Sequence, residues 1–268
     1  MTLIERVTSK KEQGFTDEIA ESIVGQEIVM EAISLSDMTD RVLLKGGIIM
    51  YHITSNARRA TRDLDFDLIR YDISSDSSID LFIALLNRTY PDYYLKRVNR
   101  ITTLHQEDYK GKRTYVEISD KTYRFRIKLD IGVHTLFAIE QNNIEFRVVN
   151  DSKRISLLAN PLEQVIGEKL YSLAKHGILS TRYKDIFDIY YLIKTHDINK
   201  LLLKSCLDLL IDYGKSNVKD ISDLCERIEQ TFNDDHWYKR LTTSDQDWLD
   251  EKDYKKVLDT IIDFIYTI

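Results

Sequence analysis

Cysteine and proline are nearly absent from this 268-residue chain, with two of each, and glycine occurs only nine times. Cys206 and Cys225 are too few and too ill-spaced for a disulfide framework or a thiolate metal site. So little glycine and proline leaves no flexible linker, and the chain has no low-complexity tract and no internal repeat. No run of about 18 apolar residues occurs, so no membrane span is expected. The opening stretch MTLIERVTSKKEQGFTDE has no apolar signal core, which makes a cytoplasmic location the expectation. The six histidines form no H-x-x-x-H or H-E-x-x-H pair, which argues against zinc. A Walker A loop, a G-x-G-x-x-G fingerprint and a G-x-S-x-G elbow are all missing, and neither cysteine carries a local catalytic signature.

What remains is an ordinary globular composition, 43% hydrophobic and 31% charged. A net charge of −6 argues against a protein that simply coats nucleic acid through phosphate contacts. It leaves room for a locally basic cleft, because the cations are grouped: Arg58, Arg59 and Arg62; Lys96, Arg97 and Arg100; Lys110, Lys112 and Arg113. Such groups are commonly no more than a solvated surface.

Apolar spacing predicts helices in the first forty residues, with Ile19, Ile23, Ile28 and Ala32 on one stripe behind an Asp17 cap. RVLLKGG then reads as a short strand ending in a glycine turn, IIMYHITSNA as a helix, and RDLDFDLIRYDI as a second strand. A helix over about Ser78 to Arg88 precedes strand-like DYYLKRVNRITTL, RTYVEISD, YRFRIKLDIGV and IEFRVV. From PLEQVIGEKLYSLAKHG onward the pattern is helical almost throughout. The expectation is an α+β fold: a mixed sheet with flanking helices over residues 1–154, then an all-helical region over 155–268.

The informative segment is LLKGGIIMYHITSNARRATRDLDFDL. Strand side chains alternate between faces, so Asp63, Asp65 and Asp67 share one face while Leu64, Phe66 and Leu68 can enter a core. Carboxylates side by side repel, and each prefers protonation to desolvation beside another. A divalent cation removes that conflict, and Mg²⁺ favours carboxylate oxygen completed by waters and substrate phosphates. The plainer alternative is an edge strand whose polar face meets water. Gly46 and Gly47, a helix length earlier, would let backbone N–H groups approach phosphate at a helix N-terminus. In YRFRIKLDIGV, Tyr123, Phe125, Ile127 and Leu129 face one way and Arg124, Arg126, Lys128 and Asp130 the other. Asp130 can therefore join the aspartates from a neighbouring strand, with Arg126 or Lys128 near phosphate charge. An amphipathic strand with ordinary outward charges has the same pattern.

A glycine pair, a D-x-D strand and a later strand aspartate resemble the polymerase-β-like nucleotidyltransferases, and more closely the AbiEii/AbiGii toxin family. Gly46, Gly47, Arg59, Thr61, Asp63, Asp65 and Phe66 match that family's first motif in place. Glu168, Lys169 and Leu170 match its E-K-L helix, and Arg182, Asp185, Asp188 and Tyr190 its R-x-x-D-x-x-D-[IL]-Y segment. The resemblance spans roughly residues 43 to 194 and departs from the family pattern at Arg62 and at the third carboxylate, Asp67, which it leaves without a role.

The resemblance implies a nucleotidyltransferase toxin of a bacterial toxin–antitoxin or abortive-infection (phage-defence) pair. Such a toxin would use NTP with Mg²⁺ or Mn²⁺, with an RNA such as the tRNA 3′ end as acceptor and an antitoxin encoded nearby as partner. Asp63 and Asp65, with Asp130, would bind metal. Lys45, Gly46, Gly47, Arg59 and Thr61 would hold nucleotide, Arg59 otherwise serving to hold the D-x-D strand. Lys169 and one of Asp185 or Asp188 would complete the catalytic set. Asp185 and Asp188, three apart, share a helix face with Arg182, and a surface ion-pair network would look the same. Lys169 carries a point charge suited to triphosphate. Transfer to a protein or small molecule, and a non-catalytic nucleotide-binding role, are the competing readings. Finally, YPDYYLKRVNR mixes tyrosines with cations, which suits stacking on bases but equally suits strand packing.

Overall fold

The structure, a computed structural model, describes residues 1–90, 92–104, 111–136, 138–149 and 152–268. Lys110 of the third basic group lies outside the described residues. The chain divides into two compact units, Met1–Asn160 and Pro161–Ile268.

The first unit opens with helices α1 (Leu3–Glu12) and α2 (Asp17–Ser34). Thr2 and Glu5 close a capping box on α1. The cap of α2 is Thr16 rather than the expected Asp17, which is the first helical residue, where its charge favours the positive helix end. β1 (Val42–Lys45), α3 (Gly47–Thr54), β2 (Asp63–Leu68) and α4 (Asp76–Thr89) follow in the expected order. α4 starts two residues before the expected Ser78 because Ser75 caps it. β3 (Tyr94–Arg97), β4 (Thr102–Thr103), β5 (Lys112–Ser119), β6 (Arg124–Val133), β7 (Asn142–Val148) and β8 (Lys153–Ala159) complete the sheet. Residues 155–159, expected to begin the helical region, are strand.

The sheet order is β3-β5-β6-β2-β1-β8-β7, with β4 on β5. β2 runs antiparallel to β1 and parallel to β6, so the aspartate strand is central and not an edge. Leu64, Phe66 and Leu68 are fully buried, each stabilising the fold by about 1.5–3 kcal/mol. α2 lies tightly on this apolar face: a Cβ at Gly25 would sit 2.2 Å from Ile127 Cγ2. Phe82 of α4 packs on Phe66 with ring centroids 5.7 Å apart. The opposite, polar face of the same strands carries Asp63, Asp65 and Asp67.

The second unit is helical: α5 (Leu162–His176), α6 (Tyr183–Thr195), α7 (Lys200–Tyr213), α8 (Ile221–Phe232), α9 (Asp235–Thr242) and α10 (Tyr254–Ile265). α5 packs on α7 and α8, and α6 on α10. Cys206 and Cys225 are buried and free, and burial pushes their thiols up to about 12 and about 11. Among the described residues no helix is long and apolar enough to cross a membrane.

Candidate active site

Strand pairing arranges the polar face in rows. One row runs Lys45, Asp65, Asp130, Arg113 across β1, β2, β6 and β5. The next runs Asp63, Lys128, Tyr115 across β2, β6 and β5. Two carboxylates from separate strands therefore stand directly opposite, flanked by a cation on each side. Arg113 donates from Nε and Nη2 to the two Asp130 oxygens, both at 2.7 Å. Lys128 Nζ lies 2.5 Å from Asp63 Oδ2. Lys45 Nζ donates to Asp67 Oδ1 at 2.6 Å, which gives the third carboxylate of the strand a partner.

Asp65 is the exception. It keeps part of its surface in solvent, yet desolvation, then Asp130 and Asp63, outweigh Lys45 and Lys128 and push its carboxyl up to about 6. The glycine turn adds to the crowding: Gly46 has φ +69°, and a Cβ there would meet Asp65 Oδ2 at 2.8 Å. A Cβ at Gly47 would meet the Thr61 side chain at 2.9 Å. So the glycines, Thr61 and Asp65 form one interlocked unit, although they are up to nineteen positions apart in sequence. Gly46→Ala combines left-handed strain with this collision and is expected to cost about 2 kcal/mol or more, read as a lowered denaturant midpoint. No side chain caps α3, whose first turn begins at Gly47, so its orphan N–H groups suit an anion.

A raised carboxyl beside two others fits a divalent cation, whose charge would relieve the repulsion. Among the described residues no three His, Cys, Asp or Glu side chains converge as a ready metal cage. Mg²⁺ takes one or two carboxylates and completes its shell with water and substrate phosphate. Asp63 and Asp65 would supply such a pair, Asp63 lying against Lys128 and Asp130 against Arg113. Without metal the raised carboxyl costs stability. The fold binds the Asp65 proton more tightly than the unfolded chain does, so stability falls as pH rises from about 4 to about 6 and stays low above. Asp65→Asn is therefore expected to stabilise the metal-free protein at pH 7.5 by roughly 2 kcal/mol. The gain should vanish below about pH 4, as thermal melts at the two pH values would read.

Arg59 is buried, at 5% exposure, just ahead of the D-x-D strand. Gln26 Nε2 of α2 donates to the Thr61 carbonyl at 2.8 Å, anchoring the approach to that strand. A cavity of about 520 Å³ involving Lys10, His52, Arg147 and Arg154, and an open groove of about 1190 Å³ near Arg6 and Tyr93, both leave out the D-x-D aspartates. The aspartates thus occupy a sheet face rather than either hollow.

In the helical unit, Lys169 of α5 pairs with Asp185 and, at 2.8 Å, with Asp188 Oδ2, both of α6. Arg182 Nε lies 2.7 Å from Asp185 Oδ2, and Trp248 Nε1 donates to Asp188 Oδ1 at 3.0 Å. Lys169, Asp185 and Asp188 are buried, so this is no surface network.

The Arg113–Asp130 clamp was not foreseen from sequence. Its signal lies in the turn where Asp120 Oδ1 accepts the N–H of Thr122 and of Tyr123, which fixes the β5–β6 register. The Lys45–Asp67 pair had no such signal, because β1 and β2 are joined through α3.

A mixed sheet with a central D-x-D strand, entered through strand, glycine turn and helix, is the arrangement expected of a nucleotidyltransferase, and membership of a nucleotidyltransferase family makes the protein an enzyme of that class. Residues 28–265 match the family described as nucleotidyl transferase AbiEii toxin, type IV toxin–antitoxin system, and the chain belongs to that family. The solved structure of MenT4, nucleotidyltransferase toxin Rv2826c from Mycobacterium tuberculosis H37Rv, shares the fold. Its TM-score is 0.55 at 12% identity, covering 97% of each chain. JHP933 from Helicobacter pylori aligns at TM-score 0.48 and 18% identity over 92% of this chain and 93% of its own. No protein of curated function matches the sequence. As a nucleotidyltransferase toxin of such a system, the chain has a nucleoside triphosphate as substrate and an antitoxin as counterpart.

Proposed function

We propose that the protein transfers nucleotides from NTP to an RNA acceptor, the 3′ end of tRNA, in a Mg²⁺-dependent reaction that halts growth during phage defence. The observation that carries this reading is the Asp63–Asp65 pair beside the glycine turn, with Asp65 held at a raised pKa. Asp63 and Asp65 would hold the ion, with Asp130 as a third donor. Bound Mg²⁺ supplies neutralising charge at the α-phosphate and acidifies the attacking hydroxyl. Gly46 and Gly47 present backbone N–H groups at the start of α3 to the phosphates. Lys45, at the end of β1, adds positive charge beside them, and Lys128 does the same from β6. Arg59 and Thr61 would help hold the nucleotide, Arg59 otherwise serving to hold the D-x-D strand. Lys169, Asp185 and Asp188 would form a second catalytic group, as the family motif they match implies, and their buried ion pairs also join α5 to α6.

The test is incubation with each α-labelled NTP, Mg²⁺ and total tRNA. Label at RNA 3′ ends, lost on chelation of the metal, is the expected result. Label on protein alone would overturn the RNA acceptor, and no label on tRNA with any NTP would overturn the tRNA 3′ end as its target.

A further inference from the structure

Two exposed tyrosines stand on the polar sheet face beyond the aspartates, with two cations that have no ion-pair partner among the described residues. The row Asp63–Lys128 ends on Tyr115 of β5, which is 39% exposed. The next row is Arg126, Glu117 and Lys96, across β6, β5 and β3. The one after is Arg124, Ser119 and Tyr94, the last 56% exposed on the edge strand β3. Among the described residues neither Lys96 nor Arg124 has an ion-pair partner, and Arg126 reaches Glu117 at 3.5 Å while largely exposed. The contrast within YPDYYLKRVNR is sharp: Tyr90 and Tyr93 are buried against each other with ring centroids 5.5 Å apart, while Tyr94 points out.

We propose that this strip, from Tyr115 across Lys96 and Arg124 to Tyr94, binds the unpaired strand of RNA whose end carries the acceptor hydroxyl. The proposal rests on the reading of the aspartate face as the transfer site. A sheet face with outward aromatics has π-faces for bases, and cations between them for phosphates, the combination that takes single strands without base-specific readout. Strand spacing of about 4.8 Å and a rise of about 3.3 Å per residue put the Tyr115 and Tyr94 backbones about 14 Å apart. They therefore stack on different bases. Strand spacing places Tyr115 about 10 Å from Asp63, close enough for an end nucleotide to reach the carboxylates. A duplex end offers no free base faces and would gain little from the strip.

The test compares wild type with Tyr115→Ala, Tyr94→Ala and Lys96→Glu, none of which is buried, with Tyr115→Phe as the conservative control. The probes are a labelled oligoribonucleotide of eight residues, single-stranded or annealed to its complement, and steady-state transfer from NTP to the single strand. Tyr115→Ala should weaken single-strand binding and raise KM for RNA on the order of ten-fold, with KM for NTP unchanged and Tyr115→Phe near wild type. Lys96→Glu should weaken binding with a shallower salt dependence. Transfer to RNA with unchanged KM in all three variants, or equal binding of the annealed form, would overturn the strip and leave the transfer reading standing. Tyr115-dependent binding of the single strand with no transfer to any RNA would support the strip and overturn the transfer reading.

Discussion

Replacing Asp63 and Asp65 together by alanine should lower nucleotide transfer by about 1000-fold or more while the chain stays folded. A catalytic metal stabilises transition-state charge by several kcal/mol, and each 1.36 kcal/mol is about ten-fold in rate. The structural cost is small because the two changes oppose each other. Removing Asp63 leaves Lys128, which is partly exposed and loses about 1 kcal/mol or less. Removing Asp65 takes away the carboxyl that burial and its neighbours already push up to about 6. A melting temperature within a few degrees of wild type, together with lost incorporation of labelled nucleotide, is the expected pair of results. Retained transfer at wild-type rate would remove these aspartates from the site. Expression of the double variant should also cease to be toxic.

Much of the aspartate face is legible in the sequence because strand alternation is a local rule. Period-two spacing separates Asp63, Asp65 and Asp67 from Leu64, Phe66 and Leu68, and it separates Lys128 and Asp130 from Ile127 and Leu129. The glycine pair is equally readable, although its reason is tertiary: Gly46 and Gly47 leave room for Asp65 and Thr61. What the sequence hides is pairing between distant segments. The parallel register that sets Asp65 opposite Asp130 pairs residues sixty-five positions apart, and no local pattern encodes it. β8 hides for a different reason, being a short strand of ordinary character just ahead of the helical run. Buried charge is hidden too. Arg6, Lys10, Glu27 and Glu31 look like solvated helix surface, yet Arg6 Nη2 lies 2.9 Å from Glu27 Oε2 with all four residues buried. Ionic partners bought from neighbouring helices, not the composition of any one helix, make that burial tolerable.

The same physics gives the second large expectation. Lys169→Met should destabilise the protein by about 3–5 kcal/mol, because it takes a shared buried cation away from two buried carboxylates on α6. Lys169 is the cation that touches both, and Asp188 has no exposure at all. Arg182 pairs with Asp185 through a side chain that is mostly exposed. The Trp248 N–H satisfies one Asp188 oxygen but brings no charge. A lost catalytic group alone would leave the melting curve in place, whereas a broken buried ion cluster lowers it. Denaturant unfolding therefore separates the two roles. Adding Asp185→Leu and Asp188→Leu to Lys169→Met removes the stranded charges and should recover most of the stability, since apolar side chains of similar size replace buried ion triads at little or no cost. Transfer activity should stay lost in that refolded triple variant if the family motif marks catalytic residues. Activity restored along with stability would assign Lys169, Asp185 and Asp188 to the scaffold alone.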